Sequence, residues 1–331
     1  MSYFETKPAT QFDFKDTLYE KKGYVATITI NRPEVYNAYS TPGLAEMAQA
    51  LTDAAWDDSI AVIVLTGAGE KAFCTGGDVS EYQSKYLQRP RDYWKFLGLF
   101  SEVLDLLRNC GKPVIARING MCVGGGNELN MACDLAVMAD DTYIRQVGTR
   151  VGSVAAGGAT QWLPIIVGDR RAREMLFTCD QIPASKCLEW GLVNQVVPRT
   201  ELDAAVAALA EKIVDKFPEC TRYTKQQLNF WKDLSWHSTI GHARDWLSIH
   251  FNSLETWEGM NSFVEKRAPD YRGVRAKAAG ADTSSEYLWG PYSQGCPSCG
   301  AKGIPAGFQF CGACGADLKA AIAVAPHSNG R

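Results

Sequence analysis

A short glycine-rich segment carries the residues best suited to chemistry. The apolar run from Pro113 to Ile118 stops at Asn119, and the triplet Gly124 to Gly126 then begins a segment whose apolar spacing is typical of a helix. Glycines at such a turn let the backbone approach a ligand with its N–H groups outward, and a helix start adds partial positive charge. The segment therefore predicts a strand, a turn and a helix N-terminus that stabilise an anion.

Glu128 is the acid–base group of this segment. It lies three residues after Gly125, so on the first helical turn its carboxylate would face the same ligand as the Gly125 N–H. A glycine triplet can also be a plain turn, and the helix dipole alone favours a glutamate in the first turn. Taken by itself, the segment supports a site and a structural turn about equally.

A second glycine turn shifts the balance toward a site. Residues 72–78, AFCTGGD, follow an apolar strand predicted over residues 60–66 and again place a glycine pair after a strand. Upstream, residues 31–38 read NRPEVYNA. The three motifs, in this order, resemble the crotonase (enoyl-CoA hydratase/isomerase) superfamily, and the resemblance covers roughly residues 12–272.

The resemblance implies acyl-CoA chemistry. In that family, two turns donate paired backbone N–H groups to the thioester oxygen of an acyl-CoA, and motif position assigns these donors to Gly77 and Gly125. Losing one such donor typically costs about 10²–10³ in rate. The weaker candidates for substrate or coenzyme A binding are Ala72, Cys74, Asp78, Gly148, Ser153 and Lys266.

The second acid of the family's hydratases has no counterpart in this chain. Those hydratases use two glutamates, one to activate water and one to protonate the α-carbon. Glu128 matches the first, whereas the second position falls on Gly148, which cannot transfer a proton. One carboxylate can still run a hydration, an isomerisation or a retro-aldol step through water.

The loop after that position resembles a different branch of the superfamily. Its sequence over residues 145–153, RQVGTRVGS, is most similar to dihydroxynaphthoyl-CoA synthase and the cyclic ketoacyl-CoA ring hydrolases, with Gly148 and Ser153 matching. That branch carries an aspartate shortly after the serine, where this chain has Ala155 and Ala156. Glu128 is typical of hydratases and not of the synthases.

The resemblance therefore favours an enoyl-CoA hydratase, a lyase acting on an unusual acyl group, cyclic groups included, with Glu128 as general acid and base. One alternative is a ring-opening cyclic ketoacyl-CoA hydrolase or a naphthoate-synthase-like cyclase. The other is a non-catalytic scaffold of the same fold. Weak candidates for assisting polar groups, each with a packing or surface role favoured, are Tyr82, Tyr86, Arg150 and Gln161.

Alternating strand and helix patterns predict an α/β layered fold. The resemblance makes it the crotonase spiral of ββα units over residues 12–200, with C-terminal helices of the same domain over residues 201–272. In the family these helices pack on a neighbouring subunit, which implies a homotrimer or a hexamer. The Ala/Gly/Ser composition that follows predicts a linker over residues 273–295.

Four cysteines near the chain end form a separate pattern. Cys296 and Cys299 make one CxxC pair, Cys311 and Cys314 make a second, and 11 residues separate the pairs. Such spacing fits a structural Cys₄ zinc site in a zinc ribbon over residues 296–318, with an iron–sulfur site or a redox dithiol pair as alternatives. Residues 320–331 are expected to fray.

Composition limits the remaining classes. The 331-residue chain has a formal net charge of −3 and a pI of about 5.9, so no basic field favours nucleic acid. It has no apolar run long enough to span a bilayer, and its N-terminus lacks a signal-peptide pattern, which predicts a soluble cytoplasmic protein without a membrane partner. Seven scattered cysteines predict reduced thiols.

Overall fold

The structure, a computed structural model, describes residues 4–280, 282 and 284–318. The predicted frayed end over residues 320–331 lies outside the described residues.

The strands are β1 (Thr17–Lys22), β2 (Val25–Ile30), β3 (Val62–Gly67), β4 (Ala72–Cys74), β5 (Val114–Ile118), β6 (Met121–Val123), β7 (Leu135–Ala139), β8 (Tyr143–Arg145), β9 (Ile182–Pro183), β10 (Gln195–Val197), β11 (Gln294–Gly295) and β12 (Lys302–Ile304). The helices are α1 (Thr41–Trp56), α2 (Val79–Glu81), α3 (Pro90–Asn109), α4 (Gly125–Ala132), α5 (Ala159–Val167), α6 (Asp169–Thr178), α7 (Ala184–Glu189), α8 (Leu202–Val214), α9 (Pro218–Leu228), α10 (Phe230–His250), α11 (Leu254–Val264) and α12 (Tyr271–Ala279).

Two sheets form the core, and the chain alternates between them. The larger has the order β1-β2-β3-β5-β7-β10, with an antiparallel β1–β2 hairpin and parallel neighbours elsewhere. The smaller has the order β4-β6-β8-β9. After β3, β5 and β7 in the large sheet, the chain adds β4, β6 and β8 to the small one, so the predicted α/β spiral of ββα units is confirmed.

Both faces of the large sheet are covered. All six residues of β3 are buried, because α1 and α3 lie on one side and α8 on the other. The α8 side is a separate apolar cluster in which Leu202 and Val206 pack on Val62, Ile115 and Val137. The central strands are therefore held rigidly, and the turns that follow them are positioned with them.

Buried cations attach α9 and α10 to this core. The Arg108 side chain on α3 is fully buried between the Trp162 and Trp236 rings, 5.3 Å from each centroid, and ion-pairs with Asp233 on α10. On α9, the Lys225 ammonium donates to Asp134 at 2.8 Å. Removing either partner would leave a buried charge unpaired, so these contacts fix how the C-terminal helices sit on the core.

The segment predicted as a linker is not wholly irregular. Helix α12 covers residues 271–279, because its Ala and Lys/Arg content carries high helix propensity. Beyond it, the Leu254 N–H donates to the Glu286 carbonyl at 2.7 Å, which ties the segment to the start of α11. Strands β11 and β12 then pair around a small cluster of Cys296, Ile304, Cys311 and Leu318. In the described part of the chain, no helix is long and apolar enough to cross a membrane.

Candidate active site and metal cluster

The two glycine turns lie side by side because their strands are neighbours. Strands β4 and β6 run parallel with Cys74 opposite Cys122, and Gly77 and Gly125 each follow three residues later. A Cβ placed on Gly76 would lie 3.0 Å from the Gly125 nitrogen. The register of the small sheet therefore brings the two predicted donors together.

Both donors are available for a ligand. The Tyr39 N–H donates to the Gly76 carbonyl at 2.9 Å and the Asp78 N–H donates to the Tyr39 carbonyl at 3.1 Å, an arrangement that leaves the Gly77 N–H out of the bridge. Gly125 is the first residue of α4, so its N–H has no acceptor within the helix. Gly124 precedes it at φ 56°, a left-handed conformation that favours glycine. Among the described residues, neither donor is hydrogen-bonded.

The Glu128 carboxylate is buried on the same helix, 5% exposed. Its Oε1 accepts the Ala159 N–H at 3.2 Å, at the first residue of α5. Burial raises the pKa of Glu128 to about 7, although hydrogen bonds from the Ala159 and Gly157 N–H groups act in the opposite direction. A carboxyl that titrates near neutral pH suits general acid–base catalysis.

The loop before α5 holds this carboxylate in place. Gln161 fixes the loop, since its Oε1 accepts the Gly158 N–H at 3.2 Å and its Nε2 donates to the Ala156 carbonyl at 3.0 Å. A Cβ placed on Gly157 would overlap the Phe100 ring and would lie 3.0 Å from the Glu128 Oε2, so a glycine is needed at this position. Gln161 therefore acts on the geometry of the loop, and it is buried away from solvent.

Backbone closes the space beside Gly148, where the family resemblance predicts the position of a second acid. A Cβ on Gly148 would lie 2.8 Å from the Ala155 nitrogen and 3.2 Å from the Ser153 carbonyl oxygen. The Ser153 N–H also donates to the Gly148 carbonyl at 2.9 Å. No side chain fits at residue 148 unless this loop moves.

Two tyrosine hydroxyls lie directly against the donor glycines. A Cβ on Gly77 would overlap the Tyr82 hydroxyl, and a Cβ on Gly125 would overlap the Tyr39 hydroxyl. The sequence marks Tyr82 only weakly and does not mark Tyr39, although Tyr39 lies just after the NRPEVYNA motif. The glycines at residues 77 and 125 are the sequence signal for these tyrosines, because each hydroxyl occupies the space that a side chain at its glycine would need.

Several of the other candidates are held in structural contacts. Asp78 caps α2 by accepting the Ser80 N–H at 3.0 Å and pairs with the Arg32 guanidinium at 3.0 Å. Burial raises the pKa of the Cys74 thiol to about 12, which leaves it unreactive. The Tyr86 hydroxyl hydrogen-bonds Thr41.

The remaining candidates divide by exposure. Ala72 is buried in β4, and its carbonyl accepts the Asn37 amide at 2.7 Å. Arg150 and Lys266 are exposed, and no contact within the described residues joins either side chain to Glu128. They do not belong to the cluster that Glu128, Gly77 and Gly125 form.

The four ribbon cysteines converge on one point. Their sulfurs lie within 4.8 Å of one another, with Cys296–Cys314 at 3.6 Å and Cys299–Cys311 at 3.8 Å. The two CxxC turns match, because the Gly300 N–H donates to the Cys296 carbonyl as the Gly315 N–H does to that of Cys311. Sulfurs at 2.3 Å around a tetrahedral ion are about 3.8 Å apart, so the cluster can bind a metal.

A spiral of ββα units with paired backbone donors beside a buried carboxylate defines the class of proteins that process acyl-CoA thioesters. The family model described as Enoyl-CoA hydratase/isomerase matches residues 20–274, and the chain belongs to this family. The match ends before the four-cysteine cluster, which therefore lies outside the part of the chain that the family model covers.

Solved structures agree with the family. An enoyl-CoA hydratase from Bacillus anthracis is 31% identical, with 78% of this chain and 100% of that chain covered and a TM-score of 0.63. DspI from Pseudomonas aeruginosa is 31% identical over 80% and 100% of the chains, with a TM-score of 0.64. A carnitinyl-CoA hydratase from Mycobacterium avium is 28% identical over 78% and 98%, with a TM-score of 0.66.

Proposed function

We propose that this protein is an enoyl-CoA hydratase in which Glu128 is the catalytic carboxylate. The observation that carries the proposal is the juxtaposition of the Gly77 and Gly125 turns with Glu128 one helical turn beyond. In the proposed complex, both N–H groups donate to the thioester oxygen. Negative charge that develops on this oxygen during addition is then stabilised by donors that need no rearrangement.

Glu128 activates the water. Its carboxylate takes one proton as the water oxygen bonds to the β-carbon, and the double-bond electrons move onto the thioester to form an enolate. The Ala159 N–H holds the carboxylate in one orientation throughout. Because residue 148 is a glycine and backbone fills the space beside it, the proposed mechanism uses a single glutamate.

The walls of the site support a flat or cyclic acyl group. The Tyr39 ring stacks on Phe100 with centroids 5.0 Å apart, and Tyr82 packs edge-on against Phe96 at 5.1 Å. Aromatic side chains of this kind offer large apolar area in fixed orientations. Ring-opening hydrolysis or cyclisation is a second candidate function, because Gly148 and Ser153 match the branch of the superfamily that carries out those reactions.

Turnover of an acyl-CoA panel tests the proposal. The panel contains crotonyl-CoA, a cyclic dienoyl-CoA and 2-ketocyclohexanecarboxyl-CoA, and product mass and carboxylate count are read for each. Addition of one water without a new carboxylate supports hydration, and a new carboxylate supports ring opening. Binding of all three esters without turnover by the wild type would move the assignment to a non-catalytic scaffold.

The four-cysteine cluster is proposed to hold one structural zinc. Sulfur separations of 3.6 and 3.8 Å suit tetrahedral coordination, and four thiolates leave no open position for a substrate. The cluster's apolar core has four buried residues, too few to fold without a metal. Zinc therefore stabilises the ribbon and takes no part in the hydration.

The C-terminal helices are proposed to form an interface between copies of the chain. Large apolar side chains are exposed along α9 and α10, with Trp231 65% and Leu234 52% exposed. Exposed apolar surface of this kind marks association sites in proteins. A trimer or a hexamer fits the family, and Lys266 is proposed to meet the phosphates of coenzyme A.

A further inference from the structure

We infer that the Tyr82 phenol is the second proton-transfer group of this site, which protonates the α-carbon in place of the absent second carboxyl. Tyr39 is the positioning residue that connects Tyr82 to Glu128. This inference rests on the hydratase function proposed above. It assigns a specific replacement for the group that Gly148 cannot supply.

The position of the Tyr82 hydroxyl carries the argument. It occupies the volume beside the Gly77 Cα that any side chain at residue 77 would need. The Gly77 N–H is one of the two proposed donors to the thioester oxygen, and the α-carbon lies two covalent bonds from that oxygen. A hydroxyl against this glycine is therefore beside the atom that must receive the proton.

The backbone around Tyr82 fixes this position. Tyr82 begins a single π-helical turn, Tyr82–Tyr86, directly after α2, and such turns are frequent at functional sites. Its N–H donates to the Asp78 carbonyl at 2.9 Å, one residue from Gly77. Phe96 at 5.1 Å and Tyr93 at 5.9 Å pack edge-on against the ring, so the hydroxyl has little freedom to swing away.

The neighbouring tyrosines are less suited to the same role. The Tyr93 side chain is 3% exposed, and its ring stacks on Phe251 with the centroids 3.4 Å apart. Tyr39 lies against the other donor, Gly125, and its ring is held by the stack on Phe100. The Gly76 and Gly125 backbones are adjacent, so the Tyr82 and Tyr39 hydroxyls lie against neighbouring segments of the two turns.

The proton balance closes without another reagent. Water adds its oxygen to the β-carbon while Glu128 takes one proton, and the enolate α-carbon takes the Tyr82 phenolic proton, which leaves a phenolate. The proton on Glu128 then returns to that phenolate, in this proposal through the Tyr39 hydroxyl that lies against Gly125. One water has been added, and both residues have returned to their starting states.

The acidities of the groups agree with this order. Burial is the main reason that the pKa of Tyr82 lies well above its ordinary value, and the nearby acidic groups of Tyr93 and Glu128 raise this pKa further. Since the pKa of Glu128 is about 7, return of its proton to a Tyr82 phenolate is downhill. A phenol is also a stronger acid than the α-carbon of a thioester, so the forward transfer is downhill too.

The test compares Tyr82→Phe with wild type and with Tyr86→Phe. Tyr86 lies in the same π-helical turn, but its hydroxyl bonds Thr41 and not the glycines. Hydration of the panel member that wild type turns over fastest is followed in D₂O, with kcat, KM and the configuration of the α-deuteron as readouts. General acid catalysis contributes about 10²–10⁴ in rate.

We expect Tyr82→Phe to lose about 10²–10³ in kcat with KM changed less than about threefold. Its product should carry α-deuterium on both faces, because bulk water then protonates the enolate, whereas wild type and Tyr86→Phe should label one face. A Tyr82→Phe enzyme with wild-type kcat and one-face labelling would overturn the inference while leaving hydration intact. Absence of turnover by wild type overturns the proposed function instead.

A second variant keeps the inference testable should Tyr82→Phe not fold. Tyr39→Phe interrupts the path from Glu128 to Tyr82 but keeps the ring that stacks on Phe100. We expect it to lower kcat by about tenfold or more while one-face labelling is kept. Wild-type kcat in Tyr39→Phe would overturn the relay.

Discussion

At the scale of single residues, Glu128 combines burial with a proposed role as base that requires its ionised form. Removal from water favours the neutral carboxyl, and two backbone N–H groups recover part of the cost of ionisation. The result is a carboxyl whose pKa lies close to neutral pH. Catalysis and stability therefore respond to pH in opposite directions at this residue.

Activity should rise with pH through the pKa of Glu128. The base is the ionised form, so kcat/KM should fall about tenfold per pH unit below about 7. Glu128→Gln should lose about 10²–10⁴ in kcat and show no such dependence. The measurement is a pH–rate profile between pH 5 and 9, and a flat wild-type profile would contradict the assignment.

Stability should change with pH in the other direction. The folded pKa of about 7 lies above the ordinary 4.5, so the stability contribution of this carboxyl is complete below pH 4.5 and is lost as pH rises to about 7. Glu128→Gln should therefore be more stable than wild type at pH 8, by about 3 kcal/mol at most, and similar at pH 4.5. Denaturant unfolding at both pH values measures the difference. Glu189→Gln, an exposed control, should show no gain at pH 8.

At the scale of elements, the loop before α5 fills with main chain the space that a side chain at residue 148 would need. Residues 153–155 occupy the space beside Gly148, and residues 157–159 hold Glu128. The same loop thus fills the space beside Gly148 and orients the Glu128 carboxylate. Its shape depends on Gln161 and on Gly157, which leaves room for the Phe100 ring.

Gly148→Glu should not restore a two-glutamate site. The new Cβ would lie 2.8 Å from the Ala155 nitrogen, so the variant should lose about 1–3 kcal/mol of stability and gain no hydratase activity. Gly241→Ala on α10 is the control, because its Cβ meets nothing within 4 Å, and it should gain about 0.5–1 kcal/mol. A rise in kcat of Gly148→Glu, with normal unfolding, would show that the loop moves freely.

Sequence patterns predict the longer elements and miss the shortest ones. Strands β3 and β5 follow from apolar runs of the sequence, and α4 follows from helical spacing after the glycine triplet. Strands β4 and β6 have three residues each, too few to show a period, yet they set the position of both donors. The motif places Gly77 and Gly125 without them, whereas Tyr39 and the closure beside Gly148 arise from chain register that no local pattern encodes.

At the scale of the whole molecule, the four-cysteine cluster and the core belong to separate apolar clusters. Cys311→Ser should lower zinc content from one per chain and unfold the ribbon, while the core keeps its thermal transition. Metal analysis and the fluorescence of Trp289, which packs on Phe308 in the ribbon, measure the two effects. Cys220→Ser, at an exposed cysteine outside the cluster, is the control. A metal-free protein with an intact ribbon would contradict the zinc proposal.

The exposed apolar residues of α9 and α10 make association testable. Replacing Trp231 and Leu234 together by Glu should lower the mass in solution, measured by light scattering, to that of one chain with helix content retained. Leu188→Glu alters an exposed apolar residue on α7 and should leave the mass unchanged. A one-chain mass for the wild type would contradict the interface.

The register between β4 and β6 has a consequence for how this protein can change. Both donor N–H groups lie three residues beyond paired cysteines, so their separation follows from neighbouring strands about 4.8 Å apart and not from loop sequence. Under the proposed function, substitutions in the loops that carry acids or phenols should leave the two donors to the thioester oxygen in place. Proton transfer and oxygen binding would then depend on separate parts of the chain, and the glycine at residue 148 would affect only the first.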